Sequence, residues 1–131
     1  QNASADLKAA VANIFNDFSS VSLLNFSEVA DNGTTVGHLR FGSTTIENTA
    51  FAWLPNPGQD TSGDIWLNST NNYFNNTAAL KDGTYHNYTI AHEIGHAVGL
   101  SHTQDASIFN ASTTYGTDST VGSTHLSLTH I

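Results

Sequence analysis

Residues 89–102 read T-I-A-H-E-I-G-H-A-V-G-L-S-H and combine three histidines, a glutamate and two glycines in a fixed spacing. In a helix, His92 and His96 lie one turn apart on the same face, so both imidazoles can bind one cation. Gly99 can adopt the positive φ that ends a helix, after which the chain can return His102 as a third ligand. The spacing therefore predicts a three-histidine metal site.

Three imidazoles around zinc leave one coordination position open for water, which is typical of catalytic rather than structural zinc sites. Glu93 follows His92 directly and is the natural base for that water. Because five positions must match together, chance is a poor explanation of the pattern. Asn87 or Thr89 is the predicted N-cap of the helix that carries them.

The pattern H-E-x-x-H-x-x-G-x-x-H is the zinc signature of the metzincin metalloproteases. Within that clan, A-H-E-I-G-H-A-V-G-L-S-H resembles the serralysins, which are secreted bacterial proteases, and next the matrixins. The stretches S-L-L-N-F-S-E-V, H-L-R-F-G, T-A-F-A-W-L-P and G-D-I-W-L-N also resemble strands of the serralysin domain. The resemblance implies an endopeptidase that hydrolyses peptide bonds through a zinc-bound water, with His92, His96 and His102 as ligands and Glu93 as general base and acid.

Apolar residues at spacings of three and four predict an amphipathic helix from Ser4 to Phe18. Runs of β-branched and aromatic residues predict strands over 21–29, 36–41 and 44–54, and the apolar D-I-W-L predicts a short strand over 64–67. The order of helix, strands and helix indicates an α/β architecture in layers.

The resemblance makes this architecture more specific. It implies a metzincin-like (zincin) domain with a twisted mixed sheet, a long first helix, an active-site helix and a short irregular C-terminal lobe. The length suits one catalytic domain over 1–131, with an upper part of about 1–99 and a lower part of about 100–131.

Metzincins hold bound substrate antiparallel to the edge strand above the cleft. The resemblance therefore implies that Thr49, Ala50, Phe51 and Ala52 bind a protein or peptide substrate in extended conformation, by strand addition. An ordinary strand that is half-buried on one face is equally compatible with these four residues.

Two positions depart from the family pattern. Thr129 stands where metzincins place a methionine beneath the metal, and Ile131 stands where serralysins place a tyrosine that binds zinc and stabilises the oxyanion. A second hypothesis follows, in which the chain is a catalytically degenerate zinc-binding module for peptide recognition. His125 and His130 are not counted as ligands, because three imidazoles already leave the open position that catalysis needs.

The amino-acid composition excludes some classes of binding partner. Three Lys and Arg residues stand against eleven Asp and Glu, a formal charge of −8 that argues against nucleic-acid or anionic-membrane partners. The absence of cysteine excludes disulfides and thiolate ligands. Abundant Asn, Ser, Thr and Gly with few charges is typical of secreted proteins, and we expect an extracellular monomer. Asp60 and Asp64 flank a glycine-containing loop and make calcium a second candidate cofactor, with a solvated loop as the alternative.

Overall fold

The computed structural model describes residues 3–30, 32–45, 49–70 and 72–102. Two helices and a three-stranded sheet make up the regular structure of these residues. In chain order the elements are α1 (Ala5–Val21), β1 (Arg40–Thr44), β2 (Ala50–Ala52), β3 (Asp64–Asn68), a 3-10 helix (Tyr73–Asn75) and α2 (Tyr85–Ala97). Helices and a sheet together confirm the predicted α/β class. The predicted lower part of the domain lies almost wholly outside the described residues.

Helix α1 confirms the amphipathic helix predicted from Ser4. The Ser4 side chain caps the helix by accepting a hydrogen bond from the Leu7 backbone N–H at 3.2 Å. The helix continues one turn beyond Phe18, where the Ser22 hydroxyl donates to the Phe18 carbonyl at 2.6 Å. The buried residues of the helix lie three and four positions apart and form one apolar face: Leu7, Ala10, Ile14 and Phe18.

The strand predicted over 21–29 is wrong, since residues 22–30 form no regular element. A strand needs a neighbour to pair with, and within the described ranges no strand pairs with this segment. Leu23 is accordingly 99% exposed. Phe26 packs the segment against α1 through its ring, whose centroid lies 4.5 Å from that of Phe15.

The sheet has the order β1-β3-β2. Strand β3 pairs in parallel with β1 and antiparallel with β2, which confirms the predicted mixed sheet. The strand predicted over 64–67 is confirmed as β3, whereas β1 begins at Arg40 rather than at 36. Strand β2 is shorter than the extended stretch predicted over 44–54. It forms one edge of the described sheet.

The main core lies between the sheet and the helices. Ile65 on β3 and Ile90 and Ile94 on α2 are fully buried at 0% exposure. Ala50 and Ala52 on β2 pack against this core from the edge strand. Because the side chains at these two positions are small, α2 can pack closely against the edge strand β2.

The opposite face of the sheet carries aromatic rings. The Trp66 ring lies over Gly42, where an added Cβ would come within 2.6 Å of it, so this position requires glycine. Phe51 stacks on Trp66 with ring centroids 6.3 Å apart. Among the described helices, none combines the length and the apolar character needed to cross a bilayer.

Candidate metal and catalytic site

Helix α2 begins before the predicted caps. Thr84, not Asn87 or Thr89, is the N-cap, because its hydroxyl oxygen accepts from the Asn87 backbone N–H at 3.3 Å. The same hydroxyl lies 2.6 Å from the Ala79 carbonyl oxygen, which ties the helix start to the preceding turn. Thr89 is instead buried inside the helix, where its hydroxyl donates to the Tyr85 carbonyl at 2.8 Å.

The C-terminal end of α2 turns sharply at Gly99, as predicted. Gly99 has φ +104°, a conformation that residues with a Cβ rarely adopt. Its N–H donates to the His96 carbonyl at 2.9 Å, and the Leu100 N–H donates to the Gly95 carbonyl at 2.9 Å. These two bonds form a Schellman motif, which satisfies the last helical carbonyls and reverses the chain. The reversal brings His102 back towards α2.

The three predicted ligands converge in space. The Nε2 atom of His96 lies 3.1 Å from those of His92 and His102, which are 3.2 Å from each other. A tetrahedral zinc with Zn–N bonds of about 2.0–2.1 Å separates its nitrogen ligands by about 3.3–3.4 Å. The observed triangle is close to that size, so the three side chains fit a zinc ion without rearrangement. All three are half-buried.

The Leu100 carbonyl determines which nitrogen of His96 faces this triangle. The Nδ1 atom of His96 lies 2.7 Å from the Leu100 carbonyl oxygen. A carbonyl oxygen can only accept, so the proton resides on Nδ1 and the Nε2 lone pair points at the metal position. Such an outer partner orients a metal-binding imidazole and raises its basicity. Sequence reasoning missed this contact because a backbone carbonyl has no residue signature.

Glu93 lies in a different environment from the histidines. Its side chain is buried, with 7% of the residue exposed. Burial raises the pKa of the Glu93 carboxyl to about 7, and a hydrogen bond from the Ala52 backbone opposes this by lowering it. A carboxyl group with a pKa near neutrality can both accept and release a proton at physiological pH.

The predicted substrate-binding residues lie at the edge of the sheet. Thr49 and Trp53 bond to β3, through the bonds Asn68 N–H to Thr49 carbonyl and Trp53 N–H to Asp64 carbonyl. The alternation of an antiparallel ladder then turns the backbone N–H and C=O groups of Ala50 and Ala52 to the other edge. In the described part of the chain no strand pairs with that edge.

Asp64 is engaged by an arginine. Arg40 binds both carboxylate oxygens of Asp64, with Nε to Oδ1 at 2.6 Å and the terminal nitrogen to Oδ2 at 2.9 Å. The guanidinium also donates to the Asp60 carbonyl. Both oxygens of Asp64 therefore accept hydrogen bonds from Arg40, and the calcium prediction gains no support from this loop.

The histidine triangle is the one candidate metal-binding group in the described part of the chain. Among the described residues, no other three His, Cys, Asp or Glu side chains come close enough to share a metal. The predictions made for His125, Thr129, His130 and Ile131 fall outside the described residues.

Comparison with known proteins gives the chain a consistent set of relatives. A family model described as Matrixin, of the peptidase M10 group, matches residues 1–125. The metallopeptidase AprA of Pseudomonas marginalis is 35% identical over 122 residues, which cover 90% of this chain and 24% of that protein. The metalloprotease AprA of Pseudomonas entomophila is 37% identical over 99 residues, covering 72% and 20%.

A serralysin of Photorhabdus luminescens is 34% identical over 108 residues, covering 80% of this chain and 21% of that protein. The chain thus spans between a fifth and a quarter of the length of these relatives. No solved structure matched the chain.

Proposed function

We propose that this chain, which belongs to the matrixin family of zinc metalloproteases, is a zinc-dependent endopeptidase. Its proposed substrates are proteins or peptides in extended conformation. The observation that carries the proposal is the triangle of Nε2 atoms of His92, His96 and His102, with sides of 3.1–3.2 Å. Three neutral nitrogen donors at this spacing suit a divalent cation and leave a fourth position for water.

In this proposal each residue has a defined role. His92, His96 and His102 hold the metal, and the Leu100 carbonyl keeps the His96 ring in the tautomer that binds it. When bound, zinc supplies Lewis-acid chemistry, which acidifies water and polarises the scissile carbonyl. Glu93 takes the proton of the attacking water and passes it to the leaving amine. Its burial favours this exchange, because the raised pKa of the carboxyl allows the proton to be both accepted and released near neutrality.

The edge strand provides the substrate-binding part of the proposal. Ala50 and Ala52 turn backbone groups away from β3, so an extended peptide can add to the sheet there. Thr49 and Phe51 support that edge through their pairing with β3. Backbone pairing recognises the extended shape of a peptide rather than a particular side chain.

We further propose that the protein acts outside the cell as a monomer. The low content of charged residues and the many Asn, Ser and Thr residues support this localisation. The acidic charge of −8 agrees with a protein substrate rather than a nucleic acid.

The proposal is tested by casein hydrolysis with the wild-type chain, with Glu93→Gln, and with wild type after zinc chelation. We expect Glu93→Gln to lower the rate by at least about a hundredfold, because loss of a positioned general base typically removes factors of 10²–10⁴. Chelation should abolish hydrolysis, and added zinc should restore it. The matched control is Glu28→Gln, an exposed glutamate whose replacement should leave the rate unchanged.

Two outcomes count against this proposal. Equal residual rates in all three samples would show that neither zinc nor Glu93 takes part. One bound zinc per chain without any cleavage would instead favour the non-catalytic module for peptide recognition.

A further inference from the structure

An exposed turn over residues 32–35 contains the one Asn-Gly pair of the sequence. The Oδ1 atom of Asn32 accepts two hydrogen bonds there, from the backbone N–H of Thr34 at 3.0 Å and from that of Thr35 at 2.8 Å. An asparagine side chain that bonds to the following backbone in this way closes a turn. The two donors therefore hold the side-chain amide of Asn32 in one orientation at the protein surface.

The residue after Asn32 is suited to attack this amide. A bond from the backbone nitrogen of Gly33 to the Cγ atom of Asn32 closes a five-membered ring, and reactions between groups held together in one molecule are strongly favoured. Glycine has no Cβ that would shield its nitrogen. At Gly33, which has φ +76°, a Cβ would meet no atom of the described residues within 4 Å, apart from its neighbours in the chain. The turn thus leaves space beside Gly33 for the ring.

The two N–H donors lie where negative charge would develop. When a nitrogen attacks the carbon of an amide, the carbonyl oxygen becomes an oxyanion, and backbone N–H groups within hydrogen-bond distance stabilise it. Here that oxygen is Oδ1 of Asn32, and the N–H groups of Thr34 and Thr35 already contact it. Solvent exposure makes the stabilisation weaker than in a buried site. The same exposure supplies the water that the reaction consumes.

We propose that Asn32 is a site of spontaneous deamidation in the folded protein. The Gly33 nitrogen gives up its proton to solvent and bonds to Cγ of Asn32, after which the bond from Cγ to Nδ2 breaks and ammonia leaves. The cyclic imide then takes up one water at either of its carbonyl carbons and opens to aspartate or isoaspartate. One carboxylate replaces a neutral amide, so the formal charge of −8 becomes more negative by one. The reaction requires neither zinc nor Glu93 and goes beyond the proposed function.

Incubation of the full chain at pH 8 with a zinc chelator, followed by peptide mass mapping, tests the site. The chelator suppresses the proposed proteolysis during the incubation. We expect the peptide that contains Asn32 to gain the mass difference between asparagine and aspartate. The intact protein should move to a lower isoelectric point as the product accumulates.

Asn76 is an internal control in the same sample. It is also exposed, and its Oδ1 accepts from the Ala78 N–H at 2.9 Å. The following residue is Thr77, whose branched side chain crowds the backbone nitrogen. Deamidation at Asn76 should therefore be slower than at Asn32 by about tenfold or more.

Two variants separate the attacking nitrogen from the amide that it attacks. Gly33→Ala adds a Cβ beside the nitrogen and should slow product formation by about tenfold or more. Asn32→Gln lengthens the side chain, so attack would have to close a larger ring, and no product should form at this position. Circular dichroism checks that both variants are folded.

Wild type unfolded in urea tests the part played by the turn, because unfolding removes the two donors from Oδ1. We expect Asn32 to deamidate at least as fast in the folded chain as in the unfolded chain. A lower rate in the folded chain would show that the turn protects Asn32, and equal rates at Asn32 and Asn76 would show that the glycine and the paired donors have no effect. Either result overturns the proposal. Since no proteolysis is measured, it stands apart from failure of the proposed function.

Discussion

The Nδ1 atom of His96 lies 2.7 Å from the carbonyl oxygen of Leu100, in the turn that ends α2. This contact makes the metal site depend on the geometry of a turn as well as on its ligands. The turn exists because Gly99 adopts φ +104°. Only the reversed chain places the Leu100 carbonyl over the ring and returns His102 to the other two histidines. Changes in the turn should therefore alter the affinity of the site for zinc.

We expect Gly99→Ala to weaken zinc binding by about 10- to 100-fold, the range seen when outer partners of a ligand are disturbed. An added Cβ would meet Pro55 at 3.8 Å, an ordinary contact, so the cost is the left-handed backbone, about 1–2 kcal/mol. Competition with a zinc chelator measures the affinity. Gly58→Ala is the matched control, because Gly58 has φ +88° and open space around it. It should lose similar stability and keep its zinc affinity; equal loss of affinity in both would contradict the prediction.

Glu93 should make the stability of the metal-free protein depend on pH. Its pKa is about 7 in the folded chain, against 4.5 for a fully solvated glutamate, so folding favours the protonated form. The stabilisation is fully present below pH 4.5 and is lost as the pH rises through 7. Glu93→Gln has no such loss. Its advantage over wild type should therefore be larger at pH 8 than at pH 5, by up to about 3 kcal/mol.

Urea unfolding in excess chelator at both pH values measures this difference. The exposed Glu28 provides the control, and Glu28→Gln should behave as wild type at both values within about 0.5 kcal/mol. A Glu93→Gln advantage that is the same at pH 5 and pH 8 would show that burial does not raise the pKa of this carboxyl.

The stability of the protein should depend on the Thr84 hydroxyl at the start of α2. Thr84→Ala removes the hydroxyl that caps Asn87 and contacts the Ala79 carbonyl, and should cost about 1–2 kcal/mol in the free energy of unfolding. Thr84→Ser keeps the oxygen and should lose less than half as much. Chemical denaturation of the three proteins measures the difference. An equal loss in both variants would assign the effect to the methyl group rather than to the cap.

The ion pair between Arg40 and Asp64 should contribute through the burial of the aspartate. Arg40→Ala leaves a carboxylate whose side chain is 9% exposed without its bidentate partner. We expect a loss of about 1–3 kcal/mol, below the cost in a fully buried pair because the arginine side chain is 39% exposed. Adding Asp64→Asn to Arg40→Ala should recover part of the loss, since the unpaired charge is removed.

Thermal or urea unfolding measures both variants. The comparison is Lys8→Ala, which breaks the exposed pair between Lys8 and Glu28 at 3.9 Å and should change stability by less than about 0.5 kcal/mol. If the double variant is no more stable than Arg40→Ala, the charge of Asp64 is not the source of the loss.

The sequence by itself determined the parts of this protein that depend on local spacing. The three histidines at i, i+4 and i+10 and the glycine between them predict a helix, a turn and a ligand set, and each follows from helical periodicity and the conformational range of glycine. The amphipathic pattern of α1 and the apolar β3 could be predicted for the same reason. The strand predicted over 21–29 is wrong because a pattern of apolar residues cannot supply a pairing partner.

Only the tertiary structure decided which backbone groups serve the site. The Leu100 carbonyl that orients His96 belongs to the main chain, which every residue carries, so no residue type announces it. The burial that raises the pKa of Glu93 likewise arises from packing α2 against the edge strand. The identity of the metal ligands depends on local spacing along the chain, so it could be predicted from the sequence. Orientation and protonation depend on distant segments brought together by folding.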